Sequence, residues 1–315
     1  MRNAFADELM KVAERDSRVV FLSGDIGNRL FDTFKATYPA RFLNCGVAEA
    51  NMTGMAAGMA MCGLRPVTYT ITPFNTTRCL EQIRVDVCYH HQPVTIVGVG
   101  GGLAYAELGA THHSCEDIAF LRALPGMSVI CPGDPVEVRL ALRAAAKQDG
   151  PVYIRIGKRG EPVVHQTTPA FTLGKALPLR AGRDLCLLST GNVLPTVVAV
   201  AQALEEKGFS AAAVSFHTVK PLDEAFLEEA FATYPLVVTV EEHSLVGGFG
   251  AAVAEWRADH PEKLGRAAFV RVGTRDEFLH EAGDEHYARE YFGLTRDAIV
   301  ERVLGSLDVG HAKIH

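Results

Sequence analysis

One carboxylate stands out in the run Asn44-Cys45-Gly46-Val47-Ala48-Glu49-Ala50-Asn51-Met52-Thr53-Gly54, where Glu49 sits among small and apolar residues at an expected helix start. No counter-charge lies beside it in the sequence. A carboxylate shut away from water is driven toward its protonated form, because burial penalises the charge. Such a group can hold or share a proton near neutral pH, as proton-transfer chemistry requires. The same residue would equally serve as a water-exposed glutamate at a helix N-terminus, and both readings stand at this level.

Four other segments carry groups of chemical interest. Gly98-Val99-Gly100-Gly101-Gly102-Leu103 follows an expected strand, but the third glycine of G-x-G-x-x-G would fall on Leu103, so dinucleotide binding is not supported. These glycines suit close backbone approach to a ligand or a neighbouring subunit. Glu107-Leu108-Gly109-Ala110-Thr111-His112-His113-Ser114-Cys115-Glu116-Asp117 admits three readings. It is a metal site using His112, His113, Cys115 and Glu116 without any known ligand spacing. It is a capping box from Ser114 to Asp117. Or it presents a loop histidine ready for acid–base work. Phe74, in Thr72-Pro73-Phe74-Asn75-Thr76-Thr77-Arg78, is a loop anchor or a flat face for a planar ring. Arg155, Lys158 and Arg159 cluster at an expected strand end, where α/β sheets bind ligands and cations suit phosphate, or they begin a solvated linker. Gly247-Gly248-Phe249-Gly250 is a tight turn or a helix N-terminal anion site, with the tight turn preferred.

The elements that must position these groups alternate. Strands are expected at 19–23, 66–71, 93–99, 127–131 and 152–156, with helices near 48–62, 76–90, 114–123 and 135–147. Phe5, Leu9 and Val12 mark a surface helix before them. After a proline-containing pause at 157–183, strands recur at 185–189, 211–216, 236–240 and 268–272. Helices recur at 193–207, 223–233, 250–259 and 295–306, with Asp223 as an N-cap. Strand–helix alternation implies right-handed crossovers and a largely parallel sheet. The expectation is an α/β chain of two doubly wound domains, 1–160 and 183–315, joined by a linker at 161–182.

Bulk properties exclude several classes. The 315 residues are 48% hydrophobic and 22% charged, with net charge −6 and an isoelectric point near 6.1, which argues against nucleic-acid binding. No apolar run reaches membrane-spanning length and no signal-peptide pattern opens the chain. Seven scattered cysteines suit a reduced, cytoplasmic protein.

Taken in order, these segments resemble the C-terminal half of transketolase-family enzymes, including deoxyxylulose-phosphate synthase and split transketolases made of two short subunits. The resemblance spans nearly the whole chain. It is carried by Gly46-Val47-Ala48-Glu49-Ala50-Asn51, by Phe74 through Arg84, by Glu107-Leu108-Gly109-Ala110-Thr111-His112, by Val219-Lys220-Pro221-Leu222-Asp223-Glu224, and by Val240-Glu241-Glu242-His243 with the glycine turn. The family uses thiamine diphosphate. The resemblance implies that Glu49 hydrogen-bonds N1′ of the aminopyrimidine and so promotes loss of the thiazolium C2 proton, after which the cofactor does the carbon–carbon chemistry. It implies that Phe74 stacks on the pyrimidine, with Arg78 and Asp25 as further cofactor-side residues, and that His112 contacts sugar hydroxyls and assists proton transfer.

The family's G-D-G motif with its later asparagine pair, which holds Mg²⁺ and the diphosphate, is missing. A partner subunit of similar size is therefore expected to supply that half in an assembly of two copies of each subunit (α2β2). Leu108 stands where transketolases carry a substrate-handling aspartate, and the glycine run at Gly100 replaces a phosphate-side histidine. A changed acceptor is expected, with Arg155, Lys158, Arg159 and Arg29 available to an anionic group. The implied reaction is transfer of a two-carbon ketol unit from a ketose, with its phosphate, to an aldehyde. The alternatives are a 2-oxo acid dehydrogenase β-subunit, a deoxyxylulose-phosphate-synthase-like decarboxylating enzyme, or an inactive homologue.

Overall fold

A computed structural model describes residues 1–27, 29–263, 265 and 267–311. Residues 312–315 of the second expected domain lie outside them. The chain builds two sheets. The first contains β1 (Val19–Ser23), β2 (Phe42–Asn44), β3 (Arg65–Ile71), β4 (Thr95–Val99), β5 (Ser128–Ile130) and β6 (Val152–Ile156). The second contains β7 (Leu177–Arg180), β8 (Leu185–Thr190), β9 (Ala211–Ser215), β11 (Leu236–Ser244) and β12 (Ala268–Thr274), and β10 (Thr218–Lys220) crosses back to the first. Strand orders are β10-β5-β6-β4-β3-β1-β2 and β12-β11-β8-β9-β7, parallel except for the edge strands β10 and β7. The two mostly parallel sheets flanked by helices are the α/β architecture expected from the sequence.

Burial explains why these strands show as continuous apolar runs. Every residue of β1, β4, β6, β8 and β9 is buried, as it must be in a parallel sheet covered on both faces. Alternate residues face opposite cores. Phe21, Tyr69 and Val97 pack under α1 (Arg2–Arg15), whereas Leu22 and Ile96 share a core with Met52 and Ala56. That second core runs on to Cys186, Leu188, Phe216 and Phe249, so apolar packing is continuous from the first half of the chain into the second.

The remaining helices are α2 (Asp32–Thr37), α3 (Glu49–Met61), α4 (Thr72–Asn75), α5 (Leu80–Gln82), α6 (Asp117–Arg122), α7 (Pro135–Ala145), α8 (Leu194–Glu206), α9 (Glu224–Thr233), α10 (Phe249–Asp259), α11 (Glu285–Tyr291) and α12 (Arg296–His311). Asp223 caps α9 by accepting from Phe226 N, as the sequence indicated. The single helix expected at 76–90 is instead a series of short turns ending in a π-helical segment, Ile83–Tyr89. The stretch expected as a linker contains β7, which closes one edge of the second sheet. Lys220, the last residue of β10, donates to the carbonyls of Arg122 (2.9 Å) and Leu124 (2.6 Å), which fastens the second half of the chain to the end of α6. No described helix is long and apolar enough to cross a membrane.

Candidate active site

The N-terminus of α3 lies at the carboxyl ends of the parallel strands β1 and β3, where this architecture places ligands. Glu49 is its first residue and is only 2% exposed, so it is not the water-exposed glutamate of the alternative reading. Gly24, just after β1, allows this depth: a Cβ there would stand 3.0 Å from Thr70 Cβ and 3.4 Å from Glu49 Cγ. The carboxylate is not alone. Arg78 Nη1 donates to Glu49 Oε2 at 2.9 Å, a counter-charge from 29 residues along the chain that no local pattern announces.

Arg78 then bridges to Phe74. Its guanidinium carbon lies 4.1 Å from the centroid of the half-buried Phe74 ring, a cation–π contact. Phe74 meets the His112 imidazole edge to face, with centroids 5.1 Å apart at 69°. Glu49, Arg78, Phe74 and His112 therefore form one continuous run of side chains drawn from three segments. Burial holds the His112 pKa below its ordinary 6.5; His113 and Arg78 act in the same direction and Glu107 opposes them. His112 Nδ1 lies 2.9 Å from Thr111 Oγ1. Beside it, Lys158 stands over the Tyr105 ring at 4.6 Å and forms an ion pair with Glu107.

Other expected site residues are placed differently. Arg155 is 3% exposed and spends its donors internally, on Asp117 Oδ2, Ser114 O and Glu242 O, each at 2.9 Å. An arginine so enclosed has no face for a substrate phosphate, and it is dropped from that role. Arg159 is exposed, and Arg29 is exposed at positive φ (69°). Asp25 is exposed at φ 58° and accepts from Asn44 Nδ2 at 2.8 Å. The metal reading of the 107–117 loop fails, since among the described residues no three His, Cys, Asp or Glu side chains converge. Ser114 is not an N-cap: α6 starts at Asp117, and Ser114 pairs with Gly102.

Both glycine segments serve the chain's own packing. A Cβ on Gly101 would stand 2.7 Å from Arg155, and one on Gly102 2.7 Å from the Glu242 carbonyl. The first turn of α10 is already occupied by an internal anion, because Glu241 accepts from Phe249 N (2.5 Å) and Gly250 N (2.7 Å). Burial raises the Glu241 pKa to about 7, against the pull of those two amides. Sequence reasoning missed Asp117, Glu242 and Arg289 as structural partners of the site. The available signal was the pair Glu241-Glu242 inside an apolar strand pattern, where buried charges demand internal partners.

Comparison with known proteins accords with this geometry. Residues 1–161 match the family described as transketolase, pyrimidine binding domain, and residues 174–299 match transketolase, C-terminal domain. The chain is 39% identical over 303 residues to the 6-deoxy-6-sulfo-D-fructose transketolase subunit SqwH of Clostridium sp. (strain MSTE9), covering 95% of this chain and 92% of that one. It is 35% identical over 306 residues to an apulose-4-phosphate transketolase subunit of Phocaeicola vulgatus, covering 96% of each. A solved structure described as a split gene transketolase, inactive beta4 tetramer, superposes with a TM-score of 0.88 at 32% identity over 98% of both chains. Transketolase from Campylobacter jejuni shares the fold at a TM-score of 0.80 and 19% identity, and the match spans 46% of that longer chain.

Proposed function

The chain belongs to the transketolase family and is an enzyme subunit of it, and from that premise we propose that it forms the aminopyrimidine half of a thiamine diphosphate site. A partner subunit carrying the N-terminal half holds the diphosphate and Mg²⁺ in an α2β2 assembly. The observation that carries this reading is the buried Glu49 carboxylate joined through Arg78 to the half-buried Phe74 ring, with His112 in edge contact. A buried carboxyl group and a flat aromatic face in one run of side chains fit a planar ring bearing ring nitrogens and an amino group. When bound, the cofactor supplies carbanion stabilisation at the carbon–carbon bond being broken.

Each residue then has a role. Glu49 holds the proton at the ring nitrogen N1′, Phe74 orients the ring, and Asp25 lies on the cofactor side. His112, neutral above its lowered pKa, binds a sugar hydroxyl and takes or returns its proton. The reaction is transfer of a two-carbon ketol unit from a ketose donor to an aldehyde acceptor. The named relatives act on a sulfo-sugar and a phospho-sugar. An anionic sugar suits this chain as well, with exposed Arg159 and Arg29 as cations for it and Lys158 joining them by exchanging its Glu107 partner for the sugar's anion. Leu108, 48% exposed on the loop that carries His112, offers it an apolar contact instead of a charge. All seven cysteines are free thiols, in keeping with a cytoplasmic setting.

Titration of the isolated chain and of the reconstituted pair with thiamine diphosphate and Mg²⁺ tests the proposal. Tight binding is expected only with the partner present, followed by ketol transfer in a screen of ketoses against aldehydes. Tight binding by the isolated chain would contradict the shared site.

A further inference from the structure

The loop that carries His112 is closed at its neck. Gly102 N donates to Ser114 O at 2.8 Å and Ser114 N returns a bond to Gly102 O at 2.9 Å, so residues 103–113 form a ring pinched at one pair. From the first sheet, Arg155 grips that pair through Ser114 O. From the second sheet comes Glu242, fully buried on β11. Its Oε1 accepts from Leu103 N at 2.8 Å and from Asn192 Nδ2 at 3.3 Å, while Oε2 accepts from Arg289 Nε at 2.6 Å. Arg289 on α11 is itself held by Glu285 Oε1 at 2.8 Å. Only glycine fits at 102, since its φ is +69° and a Cβ would stand 2.5 Å from Glu242 Oε1.

Taking the catalytic reading above as its basis, we propose that the second domain sets the position of His112. The pair of buried Glu242 and half-buried Arg289 fixes the neck of the 102–114 loop and, through it, the substrate-side histidine, while touching neither substrate nor cofactor. These two are positioning residues. Leu103, Ala104 and Ala106, next along the loop, are buried, so a fixed neck is transmitted along a packed strip toward Glu107–His112 rather than along a loose tether. The cofactor-side groups Glu49 and Phe74 stand on α3 and α4, apart from the hydrogen bonds that hold this neck. Substrate-side and cofactor-side groups meet at the Phe74–His112 ring contact but are held in place by different sets of hydrogen bonds.

The test uses the reconstituted two-subunit enzyme with Arg289→Met, which keeps the length of the side chain and removes its donors, and with Arg289→Lys as the conservative rescue. Hydrogen exchange of amides 103–113 is expected to quicken roughly tenfold or more in Arg289→Met. The kcat/KM for the sugar should fall by about tenfold to a hundredfold. The thiamine diphosphate Kd should stay within about twofold, since Glu49 and Phe74 stand on α3 and α4, which the neck hydrogen bonds do not hold. Arg289→Lys should recover most of both losses. Should Arg289→Met fail to assemble, Glu285→Gln loosens Arg289 from the surface side and is expected to give a smaller change of the same pattern. Unchanged exchange at 103–113 together with unchanged kcat/KM would overturn the inference. So would a loss of cofactor affinity in step with the loss of activity, which marks general loosening. An enzyme inactive in every form but showing faster exchange at this loop would sink the catalytic reading and leave the clamp standing.

Discussion

Arg155→Met separates a structural arginine from a phosphate ligand. Arg155 and Asp117 are 3% and 1% exposed, and among the described residues the guanidinium is the cation paired with that carboxylate. Asp117 would keep just the Tyr153 hydroxyl at 2.6 Å on Oδ2, and its Oδ1 already lacks a partner. Removing one member of a buried pair costs about 3–5 kcal/mol, because the other charge stays in low dielectric without compensation. Ser114 O retains Gly102 N as a donor, so the orphaned groups are chiefly Asp117 and Glu242 O, and a loss of about 4 kcal/mol follows. The double variant Arg155→Met/Asp117→Leu, which buries no unpaired charge, should regain most of it. Urea unfolding at pH 7 followed by far-ultraviolet circular dichroism measures the loss in both halves. Fluorescence of the single tryptophan, Trp256 on α10, reports the second half alone. A single variant within about 1 kcal/mol of the parent, combined with a raised KM for an anionic sugar, would refute the reasoning and restore Arg155 as a ligand.

Two predictions concern pH. His112 must be neutral to accept a proton and its pKa lies below 6.5, so the acid limb of kcat/KM should fall below pH 6.5 and vanish in His112→Asn, with activity down by about 10²–10⁴-fold; an unchanged limb in that variant contradicts the role. His217 is fully buried, stacked on Phe171 at 3.9 Å, with its Nε2 unpartnered, and burial lowers its pKa from 6.5 to about 4. The folded state resists a proton that the unfolded state accepts. The stability this group contributes is complete above pH 6.5 and is lost as pH falls toward 4, by up to about 3 kcal/mol. His217→Phe should flatten the urea midpoint over that window, and an equally steep decline would exclude His217 as a source of acid lability.

The fold was legible where burial imposes continuous apolar runs, as in β1, β4 and β8, and illegible where an element is short and gains its partner from afar. Phe42–Asn44 and Thr218–Lys220 are three-residue edge strands, and Leu177–Arg180 pairs with β9 across more than thirty residues. The charged helix Glu285–Tyr291 carries little apolar periodicity and escaped notice for that reason. In the site, residue type and setting marked Glu49, Phe74 and His112 as candidates with alternatives open, and the family resemblance gave them roles. What the sequence hid was pairing. Arg78 reaches Glu49 from 29 positions away and Arg155 reaches Asp117 across 38, and nothing local distinguishes a cation facing solvent from one facing an internal carboxylate.

The central claim is that Glu49 activates a cofactor whose diphosphate another polypeptide holds. It is tested most directly by proton–deuterium exchange at the thiazolium C2 in the reconstituted enzyme, comparing the parent with Glu49→Gln. The account predicts exchange slower by about 10² or more, with the Kd for thiamine diphosphate changed far less. Equal exchange rates in the two proteins would contradict it.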